Sequence, residues 1–144
     1  MPHFRQFALP IVAAVTLACS GSDLTDPKVI ASHLPGVWSQ TFGIPGASTV
    51  LDLRVSGTTI TGNGTFAEEA GPSGTLTVTG DIATLQTGDP PVVHLDFPRS
   101  DGLIGHYNGT LEASNVMEGS IWYTSVQFPA ADPVSAEFSR VLPR

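Results

Sequence analysis

Few residues in this chain are equipped for covalent or metal chemistry. Cysteine occurs once, at Cys19. A single thiol excludes an intrachain disulfide framework and a cysteine-based zinc site. Histidine occurs four times, and His94 and His106 fall in one neighbourhood. If a tight loop at residues 99–102 pairs Phe97 with Leu103, His94 stands opposite His106 on the next strand. Two imidazoles on one face are two ligands of a metal site. A third ligand is not evident, with Asp101 and Glu118 only guesses. The expectation is therefore an outer polar face carrying both histidines, with no metal and no cofactor. The chain holds no Gly-x-Ser-x-Gly elbow, His-Glu-x-x-His, phosphate loop or dinucleotide fingerprint. Its carboxylates are spread along the chain rather than paired as acid and base. No catalytic residues are assigned, and the chain is not expected to be an enzyme.

Composition narrows the classes further. Six basic and 13 acidic residues give a net charge of −7, which argues against a nucleic-acid partner, since that needs a basic face. Fifteen glycines and 12 prolines disfavour helices and suit many short strands joined by turns. At the start, Arg5 precedes an uncharged apolar run at residues 8–18. That run is too short for a membrane-spanning helix, which needs about 20 residues. A basic start, a short apolar middle and a small residue at the end make a secretory signal peptide, residues 1–18. The segment Thr16-Leu17-Ala18-Cys19 resembles the lipobox of bacterial lipoproteins. That resemblance implies cleavage before Cys19, acylation of its thiol, and a lipid-anchored protein of the bacterial cell envelope. Ser20 after the cysteine implies the outer membrane. Losing Arg5 takes the net charge from −7 to −8, so an anionic membrane would not attract the body, and attachment would rest on the lipid. Residues 19–35 read as the lipidated Cys19 and a flexible polar tether, with one helical turn at most.

From residue 36 the apolar residues recur with period two, the spacing of a half-buried strand. Segments 37–42, 49–55, 58–67, 75–82, 92–97, 103–112, 116–123 and 134–141 each read as a strand. Ser56-Gly57 is the expected turn of the first tight hairpin. The other connections are rich in Gly, Pro, Asn, Asp and Ser. Short links make consecutive strands antiparallel neighbours, and eight meandering strands remove their exposed edges by closing. The fold class expected over residues 36–144 is all-β: an eight-stranded antiparallel up-and-down barrel.

Gly36-Val37-Trp38 opens the first strand. It resembles the Gly-x-Trp that opens the barrels of the calycins, the lipocalins and avidins. That resemblance implies a barrel closed at one end by Trp38, with a basic residue of the last strand across the ring. Arg140, in phase with Phe138, is the matching residue. The avidin pattern after the first Trp is met only at Gly43; Gln40 and Ile44 depart from it, and biotin binding is not expected. The inward phase predicts Leu53, Phe66, Leu95, Phe97, Tyr107, Met117, Ile121, Tyr123 and Phe138 as the lining of a ligand cavity, beside Leu51, Ile60, Leu76 and Val78. Apolar walls with two phenols suit a small apolar molecule. The same residues would equally fill the barrel of a structural or protein-interaction module of the cell envelope. Both readings stand at this point, with the membrane, a small apolar ligand or an envelope protein as the partners.

Overall fold

The computed structural model describes residues 23–127 and 130–144. The segment expected to be a signal peptide, residues 1–18, and Cys19 lie outside the described residues. The eight expected strands are β1 (Gly36–Phe42), β2 (Ala47–Ser56), β3 (Thr59–Glu68), β4 (Ser73–Ala83), β5 (Val92–Pro98), β6 (Ile104–Ala113), β7 (Val116–Thr124) and β8 (Val134–Arg140). Each pairs antiparallel with the next, and β1 pairs with β8, so the sheet is a closed up-and-down barrel. Closure is direct: Trp38 faces Arg140, Ser39 faces Ser139 and Gln40 faces Phe138.

The period-two pattern does what it predicts. Leu51, Leu53, Ile60, Leu76, Val78, Val93 and Leu95 point inward and are buried. In β3 and β4 threonines take the other face, and Thr61–Thr79 and Thr65–Thr75 stand opposite one another, whereas Thr49 of β2 is buried in the inward phase. A β-branched residue keeps its preference for extended backbone there without needing burial. The first hairpin differs by one residue from expectation. Ser56 pairs with Thr59, so the two turn residues are Gly57 and Thr58.

Strand direction sorts the loops between two rims. The β2–β3, β4–β5 and β6–β7 links stand at one rim, with the start of β1 and the end of β8. The other rim carries the loops between β1 and β2 (43–46), β3 and β4 (69–72), β5 and β6 (99–103), and β7 and β8.

The first rim is covered by a helix, α1 (Pro27–His33). Within the tether expected over residues 19–35, the described part from residue 23 is thus docked rather than free, and residues 19–22 lie outside the described residues. Asp26 caps the helix by accepting the Lys28 amide at 2.8 Å, and Pro27 takes the first turn, where a missing N–H costs nothing. Ile30 and Leu34 are both fully buried. They lie four apart, on one face of the chain, and that face seals the barrel end. The segment is docked because an open barrel end is an apolar surface that two aliphatic side chains suffice to cover.

Candidate functional site

At the helix-covered end, Trp38 is completely buried. Its indole Nε1 donates to the Leu34 carbonyl at 2.8 Å, tying α1 to the barrel floor. The Arg140 guanidinium carbon lies 5.1 Å from the centre of the ring, and Arg140 Nη1 donates to the Pro35 carbonyl at 2.9 Å. Gly36 is needed in this arrangement for two reasons. Its φ of +128° disfavours any side chain, and a Cβ there would meet Arg140 Nη1 at 3.2 Å. The pair Trp38 and Arg140 thus meets as expected and is structural: it closes an end and offers no opening.

Above this floor the barrel is filled by side chains. Of the nine expected lining residues, Leu53, Phe66, Leu95, Phe97, Tyr107, Met117, Ile121 and Phe138 are all 3% exposed or less. Tyr107 meets Phe138 edge to face at 5.2 Å, and Phe97 meets Tyr123 likewise at 6.1 Å. The Phe97 ring occupies the space where Gly105, its cross-strand partner, lacks a side chain; a Cβ there would fall 1.9 Å from Cε2 of the ring. The Tyr107 hydroxyl and Gln40 Oε1 are buried without a hydrogen-bond partner among the described residues. Burial raises the Tyr107 pKa, helped by the negative charges of Glu118, Glu112 and Glu137, so the phenol stays protonated.

The open rim is different. Phe97 continues the inward phase to Arg99, whose side chain is only 2% exposed. The guanidinium lies 3.7 Å above the Phe66 ring and 5.3 Å from that of Tyr123. Its Nη2 donates to Glu68 Oε1 at 2.8 Å, and its Nε to Asp101 Oδ1 at 3.1 Å. Burial alone would lower the Arg99 pKa, but the two carboxylates outweigh it and the pKa is raised. Asp101 shows the mirror image: burial pushes its carboxyl up, while the Arg99 hydrogen bond, the Leu103 amide and the Arg99 charge hold it below the ordinary value. The loop is drawn inward as well. The Ser100 amide donates to Thr75 O at 2.9 Å, and Arg99 bridges to Leu76 of β4.

Over this plug lies a cavity of about 500 Å³, walled by the three loops 43–46, 69–72 and 99–103 and the strand ends beside them. Ile44, Pro45, Ala47, Leu103 and Tyr123 supply its apolar wall, and Glu68, Glu69 and Arg99 its charges. Tyr123 is the one expected lining residue that borders it. The volume lies within the range of small-molecule sites, about 300–1,000 Å³.

The histidines call for a correction. Phe97 pairs with Gly105, not Leu103, so His94 faces Asn108 and His106 faces Asp96. The strands are offset by two residues from the expected register because residues 99–103 form a longer loop, held inward by Arg99. The offset is even, so both histidines keep the outer face. His94 lies 3.6 Å from Asp81. His106 Nδ1 is 2.6 Å from Asp96 Oδ1, its Nε2 is 2.8 Å from Thr124 Oγ1, and its ring stacks on Trp122 at 5.3 Å. The row Asp96–His106–Thr124 has the order of an acid–base relay, but the alcohol is secondary and the cluster stands on the outer wall of the barrel, away from the mouth cavity. It braces three strands, β5, β6 and β7. Among the described residues no three His, Cys, Asp or Glu side chains come together as a metal site.

Sequence reasoning missed the Arg99–Glu68–Asp101 cluster and Thr124. For Arg99 a signal existed: Val93, Leu95, Phe97 and Arg99 share one phase, which aims an arginine inward. For Thr124 there was none, because its partner depends on register. Neither a scan against protein-family models nor a search of curated proteins finds a match to this chain.

Proposed function

We propose that this chain is an exported, lipid-anchored barrel of the bacterial cell envelope, of calycin type, that binds a small apolar molecule without chemically changing it. The observation that carries the reading is the 500 Å³ cavity at the open rim, with its apolar wall of Ile44, Pro45, Ala47, Leu103 and Tyr123. The ligand sits at this mouth rather than among the nine interior residues, whose side chains pack against one another. Trp38, Arg140 and α1 close the far end, so entry and exit use one rim. Cys19 supplies the anchor, and the outer membrane is the surface to which it attaches the barrel. A non-catalytic role fits a relay-like cluster, Asp96–His106–Thr124, that faces away from the cavity.

The filled interior favours a second reading, a structural or protein-interaction module of the envelope. Native mass spectrometry of the full chain purified from its own host separates the two. Binding gives a co-purifying small-molecule mass that disappears in Ala70→Trp, which fills the cavity from an exposed wall position. A bare protein mass in the parent, with an envelope protein recovered by cross-linking, would overturn the binding reading in favour of the second.

A further inference from the structure

The charges around the mouth select among small molecules. We propose that the cavity takes an amphiphilic cation, an apolar body of small-molecule size bearing one ammonium group, which pairs with Glu68 and Glu69. The inference rests on the mouth being a binding site and adds the class of ligand.

Among the described residues Arg99 is the one cation in the cavity wall, and its Nε and Nη2 are already engaged. It is buried, covered by Phe66 and Tyr123, and bonded to both Glu68 and Asp101. Glu68 and Asp101 take Nε and Nη2, and a ligand carboxylate that reached the remaining Nη1 would stand among the carboxylates of Glu68, Glu69 and Asp101. Like charges placed together in a partly desolvated site are repelled strongly. A cation meets the opposite situation. Glu68 uses Oε1 on Arg99, and its Oε2 lies against Gly71, a wall residue. Glu69 Oε2 lies against Gly46, another wall residue. Among the described residues neither Oε2 has a hydrogen-bond donor. Glu68 Oε2 fills the space that a Gly71 side chain would take, Glu69 Oε2 lies in ordinary contact range of Gly46, and Ile44, Ala47 and Leu103 belong to the same wall. The net charge of the chain, −7, adds a field that draws cations toward the protein.

The test uses three probes of one chain length, n-octylammonium, 1-octanol and octanoate, titrated into the full chain and followed by NMR shifts of the mouth residues. The expected order is octylammonium tighter than octanol by about three- to fivefold, the scale of a partly exposed ion pair, with octanoate weakest. Salt at about 0.5 M should erase the advantage of the amine. Glu69→Gln, at an exposed turn position that Arg99 does not use, should bring octylammonium down toward octanol without loss of fold. Glu68→Gln should do the same and also loosen Arg99. Octanol binding as tightly as the amine, or octanoate binding more tightly, would overturn the charge selection while leaving the mouth a binding site. No binding of any probe at the mouth would overturn the binding reading itself, and this inference with it.

Discussion

Replacing Trp38 with alanine tests whether the helix-covered end carries the stability of the barrel. The indole is fully buried, between the first strand, α1 and Arg140. Deleting a buried aromatic of this size typically costs about 3–5 kcal/mol. The Leu34 carbonyl then loses its donor, worth about 1 kcal/mol, and Arg140 loses a ring face worth about 0.5–2 kcal/mol. These losses share neighbours and do not add in full, so about 4–6 kcal/mol is expected. A domain of this size has a total of about 5–15 kcal/mol, and each kcal/mol shifts its Tm by about 3–5 °C. Trp38→Phe keeps a ring but not the indole donor and should cost about 1–2 kcal/mol. Trp122 is half-buried on the outer wall and, among the described residues, stacks on His106 alone, so Trp122→Ala should cost about 1 kcal/mol. Urea unfolding of the full chain, followed by far-UV circular dichroism, measures all three. Limited proteolysis of Trp38→Ala should also cut within residues 23–35, because α1 has lost its tie to the floor. A Trp38→Ala variant within about 1 kcal/mol of the parent, or a Trp122→Ala variant less stable than Trp38→Ala, would refute the reasoning.

Arg99→Met keeps the packing on Phe66 and Tyr123 but leaves Glu68 and Asp101 unpaired beside a buried apolar side chain. It should cost about 2–4 kcal/mol in urea unfolding, near the range for breaking a buried pair. The folded-state pKa of Asp101 is lowered, so the stability that it adds is fully present above the unfolded value, about 3.8. That stability is lost as pH falls through the lower, folded value. Acid titration of unfolding should therefore be shallower below about pH 4 in Asp101→Asn than in the parent, and equal slopes would count against the pairing. Gly105→Ala places a Cβ inside the Phe97 ring and should cost about 1–3 kcal/mol by overpacking, which thermal unfolding would show as a lowered Tm. Cys19→Ser should release the protein from the membrane fraction into the soluble one. An intact-mass measurement should show residues 1–18 removed and acyl chains added in the parent alone.

The strands were legible because each carries its own evidence. Leu51, Leu53 and Val55 alternate with Val50, Asp52 and Arg54 within one short segment, and no distant residue is needed to read that. Register is a different kind of information. His94 and His106 were placed correctly on the outer wall, since face is set by parity, but their partners depended on the length of one loop. That length is set by Arg99, which reaches Glu68, 31 residues away in the chain. A tight turn at residues 99–102 satisfies local turn chemistry equally well, and only long-range contacts, the Arg99–Glu68 ion pair and the links of Arg99 and Ser100 to β4, separate the two. The docking of α1 was hidden for a related reason. Ile30 and Leu34 are too few to announce an amphipathic helix, and their burial depends on the open barrel end that they meet.

The two inward arginines join these observations. Arg99 extends the phase of Leu95 and Phe97, and Arg140 extends that of Ala136 and Phe138, so each strand carries its buried face one step beyond the apolar core. A guanidinium at such a step can lie flat on an aromatic ring while its nitrogens bond to polar groups at the rim. Arg140 does so with Trp38 and the Pro35 carbonyl, and Arg99 with Phe66, Glu68 and Asp101. The partners make the difference between the ends. Among the described residues the partner of Arg140 is a neutral carbonyl, at a rim that α1 covers. Two carboxylates overcompensate the charge of Arg99 at the rim that stays open, and a third, Glu69, stands beside them. The same device therefore seals one end and gives the other a negative, partly apolar mouth.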